Sequence, residues 1–283
     1  MSITRVAYGG GALRGCAALG VYQALSESPN YAPTKFVGTS AGSINVLMEA
    51  LGYTPAECKE IMMSRHFTTL ITGSSGTLCI DELTQLVTDV KSLVENYGLF
   101  NADALDVLIE SYIENKLHIK NATFADFPVD ITFVCCNLST GGTVTYLNKE
   151  NTPDLPLSKA ARMSYAVPII FTPVLYNGHY YIDGGTDLLY PLTYLGDLST
   201  AVGVDYSIPK HNVKINNVLD FISAFLTAQF LTNNPVNELA LDRTIIVDYD
   251  GNSIPTQFEE TPENKLALYN TGYEAAKKWL QNH

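Results

Sequence analysis

ITRVAYGGGALRGCAALGVYQAL, residues 3–25, is a strand, a glycine-rich loop and a helix in direct succession. Ile3–Tyr8 has the pattern of a strand, and residues 16–25 set apolar side chains on one helical face. The pattern then repeats. Residues 35–37 read as a short strand end and residues 41–51 as a second, mostly apolar helix. This alternation predicts an α/β fold with a mainly parallel central sheet flanked by helices. The glycines after the first strand raise a chemical question. A phosphate, a dinucleotide or the oxygen of a reacting carbonyl could each require so close an approach to the backbone.

Further along, residues 54–65 predict a helix with Thr54 as N-cap and Pro55 in its first position. Residues 81–97 and 102–117 read as two more helices, the second capped by Asn101, so an inserted helical lobe is expected around 54–120. Residues 129–137 and 143–147 read as strands around the turn 139–142. A helix over 157–165 should stop before Pro168. Residues 175–182 form a strand pair broken at Asn177-Gly178. Later strands are expected at 201–205 and 244–249, and helices at 216–232 and 262–281. No linker divides the chain, so residues 1–283 read as one domain.

Apolar residues make up 46% of the chain and charged residues 16%, enough for a sizeable core. The net charge of −12 disfavours a nucleic-acid partner and electrostatic docking on anionic membranes. Cys16, Cys58, Cys79, Cys135 and Cys136 show neither a disulfide framework nor CxxC metal spacing, which fits a reducing compartment. No signal-peptide pattern is visible. The greasiest stretch, 218–231, is too short and polar to span a bilayer.

Three motifs carry chemistry. In the first, Gly9, Gly10, Gly11, Ala12, Leu13, Arg14 and Gly15, the spacing of Gly10 and Gly15 suits a phosphate loop, but Cys16-Ala17 replaces Lys-Ser. A dinucleotide fingerprint fails at Ala12, and no acid ends the next strand. The remaining reading is a nest of N–H donors aimed at a developing oxyanion. The second motif, Gly38-Thr39-Ser40-Ala41-Gly42, lies between a strand end and a helix, where a nucleophile elbow belongs. The third, Asp183-Gly184-Gly185, ends a strand and could bring a carboxylate to the same sheet edge, with Asp187 as its rival. Of five histidines, His66 and His118 end helices, His179 lies in a hairpin turn, and His211 and His283 look exposed. None has a convincing triad context. No metal-ligand cluster or cofactor motif is found.

Taken together and in this order, the motifs resemble the patatin-like phospholipases, as does the stretch SYAVPIIFTP over 164–173. The resemblance runs from residue 3 to about 205 and is weaker through 54–120. It implies a patatin-like three-layer architecture and a Ser-Asp dyad without histidine. Ser40 would be the nucleophile and Asp183 the base, with Gly10 and Gly11 offering oxyanion N–H groups. Arg14 would hold the loop or a ligand phosphate. Three residues, not the usual two, separate the triple glycine from Gly15. The implied activity is phospholipase A-type cleavage of acyl esters through an acyl-enzyme, with transient membrane-surface contact and no cofactor. A protein activator is compatible with it. The expected location is the cytoplasm, or a host cell into which the protein is delivered. The competing readings are a Ser-His-Asp esterase using His179 or His211, and a non-catalytic lipid-binding module.

Overall fold

The computed structural model describes residues 2–72, 91–207, 215, 221, 224–225, 228–229, 238–248 and 261–283. The strands used below are β1 Ile3–Tyr8, β2 Tyr31–Thr39, β3 Gly98–Phe100, β4 Asp130–Asn137, β5 Thr143–Leu147, β6 Ile169–Phe171, β7 Val174–Tyr176, β8 His179–Asp183, β9 Ala201–Tyr206 and β10 Thr244–Val247. The helices are α1 Gly15–Ser26, α2 Ala41–Ala50, α3 Pro55–Ser64, α4 Phe67–Thr72, α5 Asp103–Leu117, α6 Leu157–Ser164, α7 Glu238–Leu241 and α8 Pro262–Leu280.

The central sheet is parallel over β10-β9-β1-β2-β4 and is extended by the antiparallel strands β5, β8 and β7. This is the expected mixed α/β architecture with a flanked central sheet. Side chains alternate between two cores, as the two-residue strand period requires. Val6 and Tyr8 of β1 join the larger core with α1, α2 and α8, whereas Ala7 joins Val37, Val134, Tyr190 and Leu192 on the opposite face. Among the described residues no helix is long and apolar enough to cross a membrane.

Several local expectations change. β2 begins at Tyr31, not near Lys35. Pro33 argues against a central strand, but the β1–β2 register shifts between Ile3 and Arg5, and that irregularity accommodates it. Thr54 does cap α3, in a full capping box with Glu57. Asn101 does not cap α5. Ala102 takes the cap position in a left-handed conformation, and Asn101 Oδ1 instead accepts the Asp103 N–H at 3.3 Å. β3 was not legible as a strand, and it pairs in parallel with β6 outside the main sheet. Of the helix expected over 81–97, residues 81–90 lie outside the described residues, as does most of the one over 216–232.

α8 closes the back of the large core and also fixes α3. Lys265 is fully buried on α8, and its Nζ donates to the carbonyls of Met62 at 2.8 Å and Arg65 at 2.6 Å. A cation at a helix C-terminus satisfies orphan carbonyls and the dipole together. This matters because α3 forms one wall of the cavity beside the site.

Candidate active site

β2 ends at Thr39 and α2 begins at Ala41, so Ser40 must make the whole turn. It does so at φ 55° and ψ −127°, a conformation that costs an L-residue on the order of 1–3 kcal/mol. The small flanking residues follow from crowding. A Cβ on Gly42 would lie 2.3 Å from the Tyr8 carbonyl oxygen, and one on Gly38 would lie 2.4 Å from the Gly42 oxygen. Hydrogen bonds hold the strained residue on both sides. Ser43 Oγ donates to the Ser40 carbonyl at 2.6 Å. The Ser40 N–H donates at 3.0 Å to Ser164 Oγ, which donates at 2.6 Å to the Val134 carbonyl. Ser164, fully buried at the end of α6, had no assigned role in the sequence reading. Its only sequence signal is its place at the head of the SYAVPIIFTP stretch.

The strand register brings Asp183 to Ser40. β5 occupies one edge of β4 over Phe133–Asn137. The opposite edge is shared by β2, which pairs up to Thr39 with Val134, and β8, whose Asp183 pairs with Cys135. The two strands therefore meet end to end. Asp183 Oδ1 accepts the Gly185 N–H at 2.7 Å. Oδ2 is buried and has no hydrogen-bond partner among the described residues. The Ser40 hydroxyl is nevertheless near enough to favour the ionised carboxylate. Burial pushes the Asp183 carboxyl up to about 7, against the opposing pull of Ser40 and the Gly185 N–H. Asp187, by contrast, is exposed.

The glycine loop lies across from Ser40. A Cβ on Gly10 would come within 3.1 Å of Ser40 Cβ. The Gly10 N–H is already committed to the Leu189 carbonyl at 2.9 Å, so it is not available to an oxyanion as expected. The Gly9 N–H is likewise committed, to Val204. Neither Gly11 nor Ala12 donates its N–H to a backbone carbonyl among the described residues. Ala12 has φ 47°, a region that favours glycine, so it is the residue standing where the glycine pattern breaks. Arg14 braces the loop. It is buried, its Nε donates to the Gly11 carbonyl at 3.3 Å, and its guanidinium lies 5.0 Å from the Tyr206 ring centroid.

A cavity of about 190 Å³ opens beside these groups. Ala12 and Ala41 line its site end, and Leu19, Met48, Met62 and Leu108 line its depth. It runs between α1, α2, α3 and α5 and is almost wholly apolar. By volume it holds roughly a dozen water-sized sites, room for an aliphatic chain.

No histidine bonds to Ser40 or Asp183 among the described residues. His179 begins β8 and meets Asn137 Nδ2 at 3.4 Å, His283 meets Asp242 at 3.0 Å, and His66 and His118 are exposed. His211 lies outside the described residues.

A parallel sheet with a strained serine elbow, a glycine loop facing it and a buried aspartate at a converging strand end defines a class. The patatin-like phospholipase family model matches residues 6–195, and the chain belongs to that family. An uncharacterized protein of Acanthamoeba polyphaga mimivirus is 32% identical over 292 residues, covering 98% of this chain and 94% of that protein. A probable lipid hydrolase of Invertebrate iridescent virus 6 is 26% identical over 272 residues, covering 94% of this chain and 85% of that protein. VipD from Legionella pneumophila shares the fold with a TM-score of 0.59 at 15% identity, over 100% of this chain and 67% of that one. ExoU of Pseudomonas aeruginosa, in complex with SpcU, has a TM-score of 0.57 at 15% identity. The match covers 99% of this chain but 51% of ExoU.

Proposed function

We propose that the protein is a phospholipase A-type lipid acyl hydrolase with Ser40 as nucleophile and Asp183 as general base. Family membership and the viral relative described as a probable lipid hydrolase support lipid hydrolysis. The observation that carries the finer reading is the end-to-end meeting of β2 and β8, which sets a strained serine beside a buried aspartate. In the first step Ser40 Oγ attacks the ester carbonyl carbon and its proton passes to Asp183. The carbonyl oxygen takes the electron pair and is held by the Gly11 and Ala12 N–H groups. Losing one such donor typically costs about 10²–10³ in rate. Collapse expels the lysolipid or alcohol with the proton from Asp183 and leaves an acyl-serine. Water, deprotonated by Asp183, then releases the fatty acid and regenerates Ser40. A base near neutral pKa is matched to this work at physiological pH.

In this reading the apolar cavity takes the acyl chain, the head group stays outside, and the enzyme contacts the membrane surface transiently. Arg14 positions the loop. Residues 1–283 act as one domain, with the 54–120 lobe supplying the far wall of the cavity. The test is fatty-acid release from mixed phospholipid vesicles by wild type and Ser40→Ala. Release that persists in a folded Ser40→Ala protein rules the reading out.

A further inference from the structure

The cavity contains a residue that an acyl-chain site would not otherwise need. Asn45 lies on the wall formed by α2, on the same helical face as Ala41, Ile44 and Met48. It is nine-tenths buried, and its Nδ2 has no hydrogen-bond partner among the described residues. Gly15 lies close to this amide: a Cβ at its position would lie 3.4 Å from Nδ2 and 3.9 Å from Oδ1. An otherwise apolar cavity face of α2 thus carries one primary amide whose nitrogen lacks a partner among the described residues. Asn45 stands five residues after Ser40, about 7.5 Å along the helix axis. That places it beyond the reacting carbonyl, part-way along the wall that Met48 continues.

An unpaired buried amide is a standing penalty, which a leucine of the same branched shape would avoid. Water is a poor remedy here. It needs roughly two to four polar partners, and the cavity lining is almost wholly apolar. A group on the ligand supplies the missing bond more economically. Rotation of the amide lets Asn45 present either a donor or an acceptor. A hydroxyl can answer both, and a keto oxygen can answer the donor.

Building on the acyl-hydrolase reading, we infer that Asn45 makes this cavity selective for acyl chains that carry a hydroxyl or keto oxygen part-way along their length. Asn45 is then a specificity-determining residue and takes no part in bond making. A site built around a buried polar group discriminates against the ligand lacking its partner, because the group is left unpaired.

The test separates this from the hydrolase reading by measuring binding without turnover. Calorimetry on the Ser40→Ala protein compares laurate with its monohydroxy isomers, the hydroxyl moved position by position. At least one isomer should bind roughly tenfold tighter than laurate, the scale of one net hydrogen bond. Adding Asn45→Leu should reverse the order and favour laurate. The same reversal should appear in the KM values of matched esters for the Ser40 enzyme, with little change in kcat. If laurate binds as tightly as every hydroxy isomer while Asn45 is present, the inference is overturned, and this arm does not depend on how Asn45→Leu folds. If no ester is hydrolysed at all, the hydrolase reading falls while the binding series still decides the role of Asn45.

Discussion

Ser40 and Asp183 lie at the ends of two strands that run toward each other along one edge of β4. Thr39 pairs with Val134 and Asp183 with the next residue, Cys135. Residues far apart in the chain thereby become neighbours by register alone. Register is strongly fixed where both faces of a sheet are buried, since a one-residue slip would exchange the two cores.

Serine and aspartate should fail together. Asp183→Asn keeps the shape and can still accept the Gly185 N–H, but it cannot take a proton. We expect it to lower kcat nearly as far as Ser40→Ala, because groups acting as a unit are not additive. Asp187→Asn and single histidine-to-glutamine changes should leave most activity. A His179→Gln or His211→Gln protein that is folded but silent would replace the dyad with a triad.

The pH dependence of rate and of stability should run in opposite directions. Burial pushes Asp183 up to about 7, so activity should rise as pH passes through that value and the base ionises. Such a midpoint overlaps the imidazole range, so the Asp183→Asn variant, not the profile, identifies the base. Glu49 is also buried and pushed up to about 7, although the phenols of Tyr8, at 2.9 Å, and Tyr31 donate to it. For both groups the folded state holds the proton more tightly than the unfolded chain. Their contribution to stability is full below the ordinary carboxylate range and is lost as pH rises through about 7. Urea midpoints should therefore be lower at pH ~8 than at pH ~5. Asp183→Asn should reduce that difference, and an unchanged difference would count against a neutral Asp183 in the folded state.

Bulk at Gly11 should be costly, for a packing reason. Its φ of −175° is open to any residue, so the backbone does not demand glycine. A Cβ there would lie 2.8 Å from the Tyr206 ring. Gly11→Val should therefore displace the loop and lower kcat by about 10², the scale of a lost oxyanion donor. Partial recovery in Gly11→Val with Tyr206→Ala would show that the ring is the obstacle. Full activity of Gly11→Val would remove the loop from the mechanism. Ala12→Gly should be mild or stabilising, since a left-handed alanine costs about 1 kcal/mol, and a lowered Tm would contradict this.

Ser164 should behave as a positioning residue. Ser164→Ala leaves the Ser40 N–H and the Val134 carbonyl without their shared partner, at a cost of about 1–3 kcal/mol for a buried unsatisfied group. Activity should fall mainly in kcat, and Ser164→Thr, which restores the hydroxyl, should recover part of it. Equal kcat in Ser164→Ala and wild type would show that the elbow keeps its geometry without this bridge.

Some features of the fold and of the candidate site are set within a few residues. The run Ile3–Tyr8 followed by glycines, the Gly38–Gly42 elbow, the Thr54-Pro55 start and the Asn177-Gly178 turn depend on local sterics and on period-two or 3.6-residue patterning, so they could be read directly. Tertiary structure decided the rest. Pro33 in a central strand goes with a shift of register against β1, and Ala102 takes a left-handed conformation ahead of α5. The commitment of the Gly10 N–H to Leu189, the bridge through Ser164 and the cavity placement of Asn45 each join positions distant in the chain. A hydrogen bond or a cavity wall of that kind is a property of packing, and it leaves no periodic or local signature in the residues that form it.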